Sequence, residues 1–322
     1  MKAIRIHTPG GPEALKLEEI ETPQPGPGEI RLRVRRSGVN FIDIYHRTGL
    51  YPMKLPFTPG QEAAGEVDAI GDGVRGIALG ERVAYASMIG SYAQYAIIQA
   101  DRAVPVPDSI SDEIAAAIPL QGMTAHYLSH STFPLQRGSR CLIHAAAGGV
   151  GRLLVQMAKK AGAEVFATVS NADKEELART AGADHVIRYT ESSVVEEVRR
   201  ITDGKGLDVV YDSVGKTTFD DSMKCLRPRG MLVSFGQSSG AIPPMEVTAL
   251  SRAGSLYLTR PTLGHYLLSR KELLWRAGDC LAMVASGELE VRIDSTFPLQ
   301  QAAAAQERLA SRKSAGKILL EP

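Results

Sequence analysis

Cys141-Leu142-Ile143-His144-Ala145-Ala146-Ala147-Gly148-Gly149-Val150-Gly151 is the stretch on which the fold turns. An apolar run gives way to small residues and glycines, and Arg152 to Ala161 continues at helical spacing. A strand that breaks at glycines and re-enters as a helix aims backbone N–H groups and the positive end of the helix dipole at whatever lies above the turn. That environment suits a pyrophosphate. The spacing follows the dinucleotide fingerprint G-x-G-x-x-G, but Ala146 replaces its first glycine, so the surroundings must carry the reading.

Those surroundings repeat one unit. Strands are predicted near 140–146, 164–169, 184–188, 208–212, 231–235 and 255–259, with helical patterns between most of them. Runs such as Leu207-Asp208-Val209-Val210-Tyr211 and Met231-Leu232-Val233-Ser234-Phe235 are apolar on both faces, as strands covered by helices on both sides must be. Six strands in this alternation predict an α/β, doubly wound parallel sheet. Its span is set at 123–263. Before it, residues 1–122 read as β-rich: in Ile30-Arg31-Leu32-Arg33-Val34-Arg35 apolar residues face one way and arginines the other. After it, residues 264–322 carry an amphipathic helix from Tyr266 to Ala285, stopped at Ser286-Gly287, and a strand at Lys317-Ile318-Leu319-Leu320 that is expected to return to the first domain.

The end of the second strand of the alternation decides which nucleotide fits. An NAD-selecting site places an acidic residue about 20 residues beyond the glycines to hold the ribose hydroxyls. Here Ser170 stands in that place, followed by Asn171 and Lys174: a hydroxyl, an amide and a cation where a 2′-phosphate would lie. This favours NADPH. The competing reading makes Ser170 a helix cap and Lys174 a solvated surface charge.

Composition excludes several classes. Lys+Arg 37 against Asp+Glu 36 leaves no overall attraction to nucleic acid or to an anionic membrane. No stretch approaches the length of an apolar membrane span, and the N-terminus MKAIRIHTPGG lacks a signal core, so a cytoplasmic location is expected. Cys141, Cys225 and Cys280 are widely spaced and read as buried thiols. His126 and His130, four apart on a predicted helix, supply only two ligands where zinc wants three or four, and read as surface or cap residues.

Taken with Asn40-Phe41-Ile42-Asp43-Ile44-Tyr45, Tyr211-Asp212-Ser213-Val214-Gly215 and Gly254-Ser255-Leu256-Tyr257-Leu258-Thr259-Arg260-Pro261, the glycine loop resembles that of the quinone oxidoreductase (zeta-crystallin-like) branch of the medium-chain dehydrogenase/reductase superfamily. The resemblance spans nearly the whole chain. It implies a Rossmann domain inserted in a GroES-like catalytic domain, and transfer of reducing equivalents from NADPH to a quinone. By likeness of position, Phe41, Tyr45, Tyr127, Gly148, Gly149, Val150, Gly151, Ser170, Asn171, Lys174, Tyr189, Val214, Phe235, Gly236, Gln237 and Arg312 would contact the cofactor. Asn40, Asp43, Tyr45 and Tyr51 would form the catalytic cluster, with the tyrosines as a wall for a flat substrate; the alternative for the tyrosines is plain packing. Zinc-dependent relatives place a cysteine and a Gly-His-Glu segment where this chain reads Gly38-Val39-Asn40 and Gly60-Gln61-Glu62, so no metal is expected.

Two rival functions stay open: reduction of α,β-unsaturated carbonyls such as 2-alkenals on the same scaffold, and a crystallin-like structural or RNA-binding role. An apolar last strand at Ser255–Thr259 suggests a homodimer.

Overall fold

The structure, a computed structural model, describes all of residues 1–322. The chain divides into two compact units, residues 1–123 with 266–322, and residues 124–265.

The first unit opens with a hairpin of β1 (Lys2–Arg5) and β2 (Lys16–Glu19). Its longest strand, β3 (Glu29–Val39), leads into the short helix α1 (Phe41–Arg47). Along β3 the alternation works as the sequence predicts. Ile30, Leu32 and Val34 point into a core with Val83, Tyr85 and Ile98, while Arg31 and Arg35 face outward to Asp68 and Glu66. Those two carboxylates belong to the neighbouring strand β4 (Glu62–Ile70), antiparallel to β3. The strands β5 (Arg82–Ala86), β6 (Tyr95–Gln99) and β7 (Val104–Pro105) follow, then the helices α2 (Asp112–Ala117) and α3 (Pro119–Tyr127).

The second unit alternates strand and helix: β8 (Arg140–Ile143), α4 (Gly149–Lys160), β9 (Glu164–Val169), α5 (Ala172–Thr180), β10 (His185–Arg188), α6 (Val194–Ile201), β11 (Leu207–Asp212), α7 (Phe219–Cys225), β12 (Leu226–Ser234), α8 (Thr248–Arg252) and β13 (Tyr257–Thr259). All six strands are parallel, in the order β10-β9-β8-β11-β12-β13. The chain therefore winds outward from β8 in one direction and then, from β11, in the other. This reversal is the switch point at which doubly wound sheets bind ligands. Leu142, Phe166, Val210 and Leu232, from four adjacent strands, are fully buried and hold the sheet together.

The remaining chain supplies α9 (Arg270–Ala285), β14 (Ile293–Pro298), α10 (Ala302–Ala310) and β15 (Lys317–Glu321). β15 pairs with β14 on one side and antiparallel with β3 on the other, so the tail completes the sheet of the first unit.

The structure departs from the sequence reading at several points. β8 ends at Ile143 instead of reaching 146, because Ala145 adopts a positive φ of 50° and turns the chain early. α9 begins at Arg270, not Tyr266: residues 263–266 form a tighter turn, and the helix starts where Ser269 and Glu272 make a reciprocal capping box. His126, read as a surface or cap residue, is fully buried, its ring stacked on His130 at 4.1 Å.

Candidate active site

In the second unit the expected nucleotide residues gather at the carboxyl ends of the strands. Gly148 precedes α4, whose first turn Gly149, Val150 and Gly151 presents N–H groups with no carbonyl partner inside the helix. Glycine at 151 is dictated by space: a Cβ there would fall on the Ala145 carbonyl and within 2.9 Å of the Ala146 Cα. The turn is thus close-packed against its own strand, and its outer face is bare backbone.

A buried polar chain underlies this turn. His144 lies between Thr168 Oγ1 at 2.9 Å and Ser222 Oγ at 3.0 Å, and Ser222 donates to Asp212 Oδ2 at 2.8 Å. Because the serine proton goes to the carboxylate, His144 Nε2 must donate to the serine and Nδ1 must accept from the threonine. Burial lowers the His144 pKa, which keeps the ring neutral, as this pattern requires. Asp212 Oδ1 accepts from the N–H groups of Val214 and Gly215, at 2.8 and 3.0 Å, and so shapes the turn after β11. Sequence reading quoted Asp212 without giving it a role; a carboxylate at the end of an apolar parallel strand, two residues before Val214-Gly215, is the signal that was there to use.

At the end of β9, Asn171 caps α5 by accepting the Lys174 N–H at 3.0 Å. The cap is therefore Asn171, not Ser170, and the Ser170 hydroxyl is not consumed by it. Tyr189 is brought beside Ser170: its N–H bonds the Val169 carbonyl at 3.2 Å, and Thr190 Oγ1 bonds the Ser170 carbonyl at 3.0 Å. Phe235, Gly236 and Gln237 follow β12, where a Cβ at 236 would meet Ser213, and Arg260 Nη1 clasps the Gly236 carbonyl at 2.7 Å. Tyr127 retains 2% exposure, which leaves it little surface to offer a ligand.

In the first unit, Asn40, Phe41, Asp43, Tyr45 and Tyr51 all belong to α1 and its flanks. Tyr45 and Tyr51 meet edge to face at 5.3 Å, Tyr51 N–H bonds the Tyr45 carbonyl at 3.1 Å, and Phe41 lies 6.4 Å from Tyr45. Both tyrosines are half-buried, so each keeps some ring surface open. Asp43 is different. It is fully buried, and its Oδ2 accepts from the Asn40 N–H at 2.8 Å and the Tyr92 hydroxyl at 3.0 Å. Burial pushes its carboxyl up to about 7, against the pull of those two donors. This geometry makes Asp43 a cap that fixes the start of α1. Asn40 is also enclosed, with its amide between Glu62 and Lys317. Arg312 stands in a left-handed turn just beyond α10, φ 59°.

Residues 26–108 match the alcohol dehydrogenase GroES-like domain, and residues 149–272 match the zinc-binding dehydrogenase family. The quinone oxidoreductase of Pseudomonas aeruginosa is 43% identical over 100% of this chain and 99% of its own length. This chain belongs to the quinone oxidoreductase family. Escherichia coli quinone oxidoreductase complexed with NADPH superimposes with a TM-score of 0.98 at 43% identity, covering 100% of both chains. A 2-haloacrylate reductase of Burkholderia sp is 42% identical over 99% of this chain and 98% of its own length. Membership places the chain in the medium-chain dehydrogenase/reductase superfamily, with the Rossmann and GroES-like parts that the sequence predicts.

The residues of this family member do not fit the zinc that one matching description names. Zinc wants three or four thiolate, imidazole or carboxylate ligands. Glu62 is committed to the Lys317 ammonium and to the Leu120 N–H. Asn40 offers only an amide already bonded on both sides. The three cysteines lie buried in β8, α7 and α9, and burial raises each thiol pKa, that of Cys225 to about 12. No three His, Cys, Asp or Glu side chains converge anywhere to hold an ion.

Proposed function

We propose that this chain reduces quinones with NADPH, without metal, as a cytoplasmic homodimer. The observation that carries the cofactor choice is the end of β9, where Ser170 stands in place of the acidic residue that would repel a 2′-phosphate and Lys174 follows one turn on. Gly148 to Gly151 hold the pyrophosphate through backbone N–H groups, with the α4 dipole behind them. Tyr189 flanks the 2′-phosphate grip, and Val214, Phe235, Gly236 and Gln237 line the far end of the nucleotide path.

When bound, the reduced nicotinamide supplies a hydride. Quinone oxygens delocalise the charge they gain over the ring, so the protein need not polarise them with a Lewis acid. Its task is positioning. Tyr45 and Tyr51 give a flat acceptor an aromatic surface with hydroxyls at its rim. Asn40 and Asp43, both enclosed, act by setting where α1 begins.

Reduction of an activated carbon–carbon double bond is the second reading, favoured by the 42% identity to a 2-haloacrylate reductase. A structural or RNA-binding role has the near-zero net charge against it. Side-by-side assays of NADPH oxidation with a benzoquinone and with a 2-alkenal test the proposal. Turnover with the quinone is the expected result, and turnover confined to the alkenal overturns it.

A further inference from the structure

Lys317 begins the apolar strand β15, yet only 1% of its surface is exposed. Lysine is almost never buried to this degree unless it is paired. Its partner is Glu62, also fully buried, at the start of β4. Lys317 Nζ donates in addition to Asn40 Oδ1 at 2.9 Å, and Asn40 Nδ2 donates to the same Glu62 oxygen at 2.9 Å. Ammonium, carboxylate and amide close a triangle. The other Glu62 oxygen accepts the Leu120 N–H at 2.6 Å, in the first turn of α3.

Backbone placement shows that this triangle is built into the sheet. β15 and β3 pair with Ile318 opposite Val39, which puts Lys317 and Asn40 at the next step of the same register. Gly38 clears the space: a Cβ there would meet the Lys317 Cε at 2.7 Å and the Ala116 carbonyl at 2.8 Å. A buried ion pair adds little stability over apolar groups of the same volume, because desolvation offsets the attraction. What it adds is direction. Both ends of the Asn40 amide are pinned, and Asn40 is the residue from which α1 departs. At seven residues α1 is too short to hold its own shape, so its course depends on such fixings.

We propose that Lys317 is a positioning residue for acceptor reduction: through Asn40 and Glu62 it fixes the entry of α1 and so the placement of Tyr45 and Tyr51. This rests on the reading of the two tyrosines as the acceptor's wall. Lys317 touches neither cofactor nor acceptor; it acts through the helix.

The test compares wild type, Lys317→Met and the charge-neutral pair Lys317→Met with Glu62→Gln. Four quantities are read: acceptor kcat/KM, NADPH Kd by fluorescence titration, the unfolding midpoint, and hydrogen exchange of the α1 and α4 amides. In Lys317→Met, acceptor kcat/KM falls about 10²-fold, the scale of a misplaced substrate wall. NADPH Kd rises far less than acceptor kcat/KM falls, because only Phe41 and Tyr45 of the expected cofactor contacts lie on α1, and α4 exchange stays unchanged while α1 amides exchange faster. In the paired variant the midpoint recovers but turnover and α1 protection do not, so loss of folding is not the cause. Recovery of turnover and protection in the paired variant overturns the proposal, since charge balance would then be the whole role. So does an equal loss in NADPH affinity and turnover. If wild type reduces neither a quinone nor a 2-alkenal, the functional reading itself fails, and α1 exchange alone then decides whether Lys317 holds that helix.

Discussion

Single residues divide the work at the end of β9. Asn171 spends its side-chain oxygen on capping α5, and the Ser170 hydroxyl is left out of that cap. Lys174 sits one turn on, half-buried, and under the proposal its ammonium holds the 2′-phosphate beside Ser170. Replacing Lys174 with Ala should therefore cost about 1.5–3 kcal/mol of NADPH binding, the scale of a charge-assisted hydrogen bond, and leave NADH binding unchanged. Parallel titrations with the two nucleotides check this, and equal losses would refute the 2′-phosphate role. Tyr51→Phe keeps the ring that meets Tyr45 and should lower quinone turnover less than Tyr51→Ala, which removes it; unchanged turnover in both would take Tyr51 out of the substrate site. Sequence reading reached these side chains because each carries its own chemical signature at a motif position. It did not reach Lys317 or Tyr92. A lysine opening the run Lys317-Ile318-Leu319-Leu320 looks like a solvated strand end, and only the pairing of β15 with β3 turns it inward beside Asn40.

Elements were the most legible level, since period and apolar runs write them directly into the chain. The six parallel strands of the second unit were readable from their alternation with helical patterns, and β11 and β12 also from apolar residues on both faces; their order in the sheet was not read. Boundaries were less so where the backbone, not composition, decides: nothing in Ala145 announces its positive φ. The turn it starts gives a prediction. Gly151→Ala should weaken NADPH binding by displacing the first turn of α4 from the Ala145 carbonyl; fluorescence titration checks it, and unaltered affinity would remove the turn from the nucleotide site. α1 gives another. Burial holds the Asp43 carboxyl near 7, above the ordinary value of about 4. Between these values the folded protein keeps a proton that the unfolded chain has released, so this group costs stability progressively as pH rises from about 4 to 7, and no further above. Asp43→Asn lacks that slope. Its unfolding midpoint, measured against wild type, should gain across that window, and a constant gap would mean that Asp43 titrates normally.

For the molecule as a whole, the proposal makes two demands beyond each unit's own geometry. One concerns assembly: β13 is the edge of its sheet, and Tyr257 and Leu258 are 60% and 39% exposed, a row of strand groups and apolar side chains that a second copy would cover. Leu258→Asp should shift sedimentation from dimer to monomer; a wild type that sediments as a monomer at micromolar concentration contradicts the assembly. The other concerns chemistry. Asn40 and Glu62, in the segments where zinc-dependent relatives carry ligands, are bonded to each other and to Lys317, and under the proposal reduction proceeds on nucleotide and positioning alone. The most direct test is quinone-dependent oxidation of NADPH, with NADH in parallel, by protein dialysed against a chelator. Full turnover with NADPH and at least about tenfold lower kcat/KM with NADH is the predicted result, tenfold corresponding to the loss of one charge-assisted contact. Equal use of NADH, or turnover that returns only when zinc is added, would contradict it.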